Sequence, residues 1–323
     1  MNEAINANGL TKIYPGAKGH QPIHAVDGVN FRVHPGEIFG YLGPNGAGKT
    51  TTIRMLTGLT RPTSGEAQVL NFDLLKEPTR IKKHIGVVPE ASNLYDELTA
   101  FDNLVFSMQL YGVPRNERKG RAEALLDRFR LSAKRDVGFA KLSRGMKRAL
   151  TIAAALAHRP QLVFLDEPTT GLDVLSARNL RQMIAGMRED GVTVFLTTHY
   201  LEEAERLCDR IGIIVHGNLV ALDSVDNLKA HAQSRTILEV TLENAEGHQE
   251  KRRFEFQGSE NSVLKQAVKE SEGWKVLAVD TLRPSLEDVF IQLTGLSAER
   301  LQAENDGKGP SLNTTEGANH VEG

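Results

Sequence analysis

The chain has 323 residues, 40% of them hydrophobic, 25% charged and 6% aromatic, with a formal net charge of -2; such proportions describe an ordinary soluble globular protein of about two domains. The charge balance argues against a strongly basic nucleic-acid surface, and the single cysteine, Cys208, excludes an internal disulfide framework and points to a reducing compartment, where it is expected to be a packed thiol. No run approaches the roughly 18 consecutive apolar residues of a membrane span, and the polar start MNEAINANGLTKIY lacks the basic flank and apolar core of a secretion signal, so the chain is expected to stay in the cytoplasm.

Along the chain, VDGVNFRV (26–33) alternates with the two-residue period of a half-buried strand, and the turn HPGE leads into a second, apolar strand at IFGYL. Further strands are predicted at HIGVV (84–88), LVFL (162–165), VTVFLT (192–197) and IGIIV (211–215), separated by helix-length segments. Strands alternating with helices predict an α/β fold with a largely parallel sheet. Between 98 and 158 the spacing becomes helical, which places a helical subdomain at about 91–160. From about 231 the amphipathic runs TILEVTLE, KRRFEFQ and WKVLAVDTL, with SVLKQAVKES as a helix among them, predict a small α+β domain over 231–296 behind a main domain at 1–230. Residues 297–323 carry too few apolar side chains to offset the entropy of ordering and are expected to be disordered.

The strongest chemical signal is GPNGAGKT at 43–50, which fits the phosphate-loop pattern G-x-x-x-x-G-K-[ST] between a strand and a helix. Gly43, Gly46 and Gly48 let the backbone wrap phosphate oxygens. Pro44, Asn45, Ala47 and Thr51 complete the stretch, whose N–H groups and helix start carry partial positive charge. Lys49 is expected to reach the β and γ phosphates of ATP, and Thr50 to place its hydroxyl on Mg²⁺. A second half-site appears in LVFLDEP (162–168), a buried strand ending in two carboxylates. Asp166 is placed to hold Mg²⁺, leaving Glu167 to accept a proton from the attacking water.

LSRGMKRAL at 142–150 and TTH at 197–199 narrow the class: with the phosphate loop and EPTTGLD (167–173) they resemble an ABC ATPase, a P-loop NTPase core with a helical subdomain. LSRGM looks like that family's signature, Asp173 like its D-loop carboxylate and His199 like its switch histidine. The resemblance implies a head-to-tail dimer, homodimeric or with a related ATPase subunit, in which Ser143 and Gly145 of one subunit close over the γ-phosphate bound by the other. It also implies that Tyr14 stacks on adenine and that His199 holds γ-phosphate and water. The sequence departs from the family at Arg144, where the signature has glycine, and at Met146 and Glu90, where signature and Q-loop have glutamine. Glu90 is expected to lean on Mg²⁺.

These variants are similar to export-type subunits of the daunorubicin-resistance and sodium-extrusion sort, and RPSLEDVFIQLTG (283–295) resembles the close of their C-terminal domain. The implied function is ATP binding and hydrolysis for an exporter, at the cytoplasmic side of the membrane, against separate transmembrane permease subunits. A nucleotide sensor with little turnover is the alternative; a P-loop kinase would have no use for LSRGM or TTH. The basic stretch PRNERKGRAEALLDRFR interleaves acids with arginines and offers no stacking aromatics for bases, so no nucleic-acid partner is expected.

Overall fold

The computed structural model describes residues 3–16, 21–232, 236–244, 247–256, 274–282 and 285–295. Strands β1 (Ile5–Tyr14), β2 (Ile23–Val33), β4 (Ser64–Val69) and β5 (Phe72–Asp73) form an antiparallel sheet in the order β2-β1-β4-β5. Strands β3 (Ile38–Leu42), β6 (Ile85–Val88), β7 (Leu162–Asp166), β8 (Thr193–Thr198), β9 (Arg210–Val215) and β10 (Asn218–Ser224) form a second sheet in the order β10-β9-β3-β8-β7-β6. This sheet is parallel except for β10, which returns antiparallel along β9.

The six-stranded sheet is buried on both faces, and the two-residue period sorts its side chains. Ile38, Leu42, Val163, Leu165, Val194 and Leu196 point into one apolar core with the helices. Phe39, Tyr41, Leu162, Phe164 and Phe195 point into the other, against the antiparallel sheet. In that second core Phe195 lies 5.5 Å, ring to ring, from both Phe39 and Tyr41. Between strands run helices α1 (Lys49–Leu56), α2 (Pro78–His84), α3 (Ala100–Leu110), α4 (Arg115–Arg128), α5 (Arg144–Leu156), α6 (Val174–Glu189), α7 (Leu201–Leu207) and α8 (Val225–Ala232). The helical insertion expected between 98 and 158 corresponds to α3, α4 and α5.

Strands β1 and β4 were not legible by period. In β1, register shifts against β2 break the alternation, and Gly9 takes a positive φ of 59°. In β4, SGEAQV buries only Ala67 and Val69. Downstream, β11 (Thr236–Glu243), β12 (Gln249–Phe256) and β13 (Lys275–Leu282) form a three-stranded antiparallel sheet in the order β12-β11-β13. The helix expected at SVLKQAVKES and the tail at 297–323 lie outside the described residues. The last described helix, α9 (Leu286–Thr294), packs on α7 and α8 and buries Leu286, Val289 and Phe290 in the helix-side core of the main domain. Ser285 caps it in a capping box with Asp288, and Gly295 ends it at φ 67°. The C-terminal segment therefore returns to the body it left. Cys208 is a packed thiol of the same core, its pKa pushed up by burial.

Candidate active site

Four parallel strands end at one edge of the six-stranded sheet, where ligands bind in open α/β folds. Past β3 comes the loop from Gly43, past β6 Glu90, past β7 Glu167, and past β8 His199. They surround a cavity of about 650 Å³ lined by Ala25, most of residues 44–51, Glu90, Glu167, Thr170, Gly171, His199 and Tyr200.

The loop conformation depends on its glycines. A Cβ on Gly43 would lie 2.2 Å from the Ile214 carbonyl oxygen, and one on Gly48, at φ 109°, 2.2 Å from that of Ala25. Either substitution would push the loop off the sheet. Gly48 opens α1 with no side-chain cap, so the helix start faces the cavity as an anion site. Lys49 is buried; its Nζ donates to the carbonyls of Gly43 at 2.7 Å and Pro44 at 3.1 Å. It also forms an ion pair with Glu167 Oε1 at 3.0 Å, without the angle of a hydrogen bond.

Glu167 has a positive φ of 48°, a strained state for a side chain with a Cβ, costing on the order of 1 kcal/mol. Its N–H donates to the Thr197 hydroxyl at 3.1 Å, and its Oε2 accepts from Thr170 Oγ1 at 3.1 Å and from His199 Nδ1 at 2.8 Å. Burial pushes the Glu167 carboxyl up, but the His199 hydrogen bond and the Lys49 charge together outweigh it and hold it below the ordinary carboxylate value. An ionised carboxylate only accepts, so the Nδ1 of His199 carries the proton and its Nε2 is left for another partner. Asp166 Oδ1 accepts from Thr197 Oγ1 at 2.6 Å and Thr50 Oγ1 at 3.2 Å. The side chains of Thr50 and Asp166, with the exposed Glu90 at the cavity rim, make a set of hard oxygen donors that suits Mg²⁺.

Ser143, Gly145 and Asp173 are outside this constellation. Ser143 is exposed and caps α5 by accepting from the Met146 N–H at 3.3 Å; Asp173 caps α6 by accepting from Ser176 N at 2.9 Å. A Cβ on Gly145 would sit 2.7 Å from Ser176 Oγ, so signature and D-loop share one surface of the chain. Arg144 fills the glycine position of the signature and donates to the Gly171 carbonyl at 3.3 Å. Tyr14, half-buried at the end of β1 with Lys12 Nζ 5.1 Å from its ring centre, does not line the cavity, whereas Tyr200 does.

The sequence also missed two buried ionic groups. Arg148 spans two of the loops through backbone carbonyls, which leave no trace in side-chain patterns. Glu203, 1% exposed on α7, has no hydrogen-bond partner for either oxygen among the described residues; burial pushes its carboxyl up, against smaller opposing effects of the Thr198 and Thr169 hydroxyls nearby. Its acidic neighbours in EEAE read as a solvated helix face, and only burial distinguishes it.

A phosphate loop at the end of a parallel strand, an Asp–Glu pair on a neighbouring strand and a histidine joined to the glutamate define a P-loop nucleotide hydrolase. Residues 26–170 match the family model described as ABC transporter. The chain is 36% identical over 321 residues to the daunorubicin/doxorubicin resistance ATP-binding protein of Streptomyces peucetius, covering 93% of this chain and 95% of that protein. It is 42% identical over 217 residues to the linearmycin resistance ATP-binding protein of Bacillus subtilis, covering 67% of this chain and 70% of that one. A dimeric ATP-binding cassette in a post-hydrolysis state with ADP and Pi superposes with a TM-score of 0.63 at 29% identity, over 68% of this chain and 98% of that one. The chain belongs to the ABC transporter family and is an ATP-binding, ATP-hydrolysing subunit of the export type.

Proposed function

We propose that the protein hydrolyses ATP with Mg²⁺ at sites shared between two copies, or with a related ATPase subunit, and drives export through separate transmembrane permease subunits from the cytoplasmic face of the membrane. The observation that carries this is the buried group of Lys49, Glu167 and His199 at the phosphate loop. ATP lies with its phosphates along Gly43, Pro44, Asn45, Gly46, Ala47, Gly48, Lys49, Thr50 and Thr51, and Tyr14 stacks on the adenine. Thr50 and Asp166, with Glu90 beside them, would hold Mg²⁺. When bound, that ion would supply positive charge against the negative charge that develops on the phosphates.

Lys49 exchanges Glu167 for the γ-phosphate as ATP enters, which frees one carboxylate oxygen. Glu167, kept ionised and aimed by His199 and Thr170, accepts the proton of the attacking water. With its Nδ1–H donated to Glu167, His199 presents Nε2 as an acceptor to an O–H of the attacking water beside the γ-phosphate. Ser143 and Gly145 of the second copy close the site, with Asp173 at the same interface. Residues 1–230 carry the chemistry, and 231–296 serve assembly or regulation. The relatives named for drug resistance support a small-molecule cargo, recognised by the membrane subunits. In the Glu167→Gln variant, phosphate release should slow by about 10² to 10⁴ while titration calorimetry still records ATP binding. Full turnover would remove Glu167 from the mechanism.

A further inference from the structure

Arg148 lies one turn into the helix that begins at Ser143 and is 8% exposed. Its Nε donates to the Pro168 carbonyl at 2.9 Å, one terminal nitrogen to the carbonyls of Pro89 and Glu90, the latter at 3.1 Å, and the other to those of Asp166 and Glu167, the latter at 3.0 Å. A guanidinium has five N–H groups, and here each meets a different main-chain carbonyl. Three of those carbonyls turn the chain at the end of β7, and two belong to the segment after β6. Burial lowers the pKa of this arginine, and the carboxylates of Asp166, Glu90, Glu167 and Glu203 oppose that effect.

Such a group is not explained by charge pairing, because none of its hydrogen bonds goes to a carboxylate. It does explain how Glu167 stays at φ 48°. The Glu167 N–H is fixed by Thr197 on β8, and its carbonyl is fixed by Arg148, so the strained peptide is held from both sides.

We infer that Arg148 is a positioning residue of the ATPase site: its planar fork locks the backbone of Glu167 to the Glu90 segment and to the signature helix, so that the carboxylate can meet the attacking water only while these three elements are in register. The inference rests on the assignment of Glu167 to that water. Lysine keeps the charge and most of the packing stem, but its single ammonium cannot reach five divergent acceptors.

The test is a double-mutant cycle on the full chain, with kcat and KM for ATP read by phosphate release, ATP affinity by calorimetry and folding by thermal melting. Arg148→Lys should lower kcat by about 10- to 100-fold, the scale of a catalytic group displaced by an ångström or so, with ATP affinity unchanged. Combined with Glu167→Gln it should add no further loss, since both changes remove one contribution. If Arg148→Lys does not fold, Arg148→Gln, which retains two amide donors, carries the same expectation. A fully active Arg148 variant beside a slowed Glu167→Gln, losses that multiply in the double variant, or a defect in ATP affinity with normal kcat would each overturn the role of Arg148 and leave Glu167 in place. Full turnover in Glu167→Gln would instead overturn the assignment of Glu167, and the proposal with it.

Discussion

The phosphate end of the site and the signature face are built from the same chemistry, helix starts and oxygen acceptors, but to different degrees of completion. At the phosphate end Lys49, Asp166, Glu167 and His199 are all buried, Lys49 and His199 both meet the Glu167 carboxylate, and Asp166 is held by Thr197 and Thr50. On the signature face Ser143 and Asp173 are exposed and cap their own helices, while Val174 and Leu175 beside Asp173 are 84% and 67% exposed. One region is organised by the chain's own packing; the other would be completed by the second copy of the proposed dimer.

The largest effect that would sharpen this contrast concerns the base. If the closed region extends to adenine through Tyr14, Tyr14→Ala should weaken ATP binding several-fold to about a hundred-fold, equivalent to ~1–3 kcal/mol for aromatic stacking, and Tyr14→Phe should bind like the parent. Equal losses by calorimetry in both variants would point to the hydroxyl and leave the base outside the closed region.

A smaller change is expected at the rim. Glu90→Gln removes one negative charge near the proposed Mg²⁺ donors but leaves Thr50 and Asp166, so turnover should stay within about tenfold (~1.4 kcal/mol) while half-maximal activity needs more Mg²⁺. An unchanged Mg²⁺ requirement would take Glu90 out of the metal's surroundings.

The smallest effect is on stability. The raised Glu203 carboxyl favours its neutral form in the fold, so its contribution is fully present below the unfolded value near 4.5 and is lost as pH rises through the folded pKa. Glu203→Gln removes that loss, so its stability relative to the parent should grow as pH rises above about 4.5, read as a widening gap between the two melting temperatures. Parallel melting curves for the two proteins across that range would show that Glu203 ionises without cost and is better solvated than its burial implies.

The same contrast explains what could be read from sequence. The phosphate loop, Asp166 and Glu167 lie at or just past the ends of their strands, so periodicity and local spacing locate them, whereas His199, though it too follows a strand, was singled out through family resemblance. Ser143 and Asp173 were legible only through family resemblance, because nothing in one chain uses them beyond capping. Arg148 and Glu203 were not legible at all: one acts on carbonyls contributed by residues 89–90 and 166–168, and the other is distinguished only by the packing of α7. Strands β1 and β4 escaped for a related reason, since their bulges and polar faces acquire meaning only when paired.

The central claim, that each ATP site joins the phosphate loop of one chain to the signature of another, is tested most directly by mixing two defective proteins. Lys49→Ala breaks the loop and Ser143→Arg breaks the signature, so each alone should release little phosphate. A mixed dimer has one site in which both defects meet and one in which both parts are intact. Phosphate release should therefore reappear on mixing and follow the proportion of mixed dimer; no recovery in a mixture shown by size-exclusion chromatography to contain dimers would contradict the shared site.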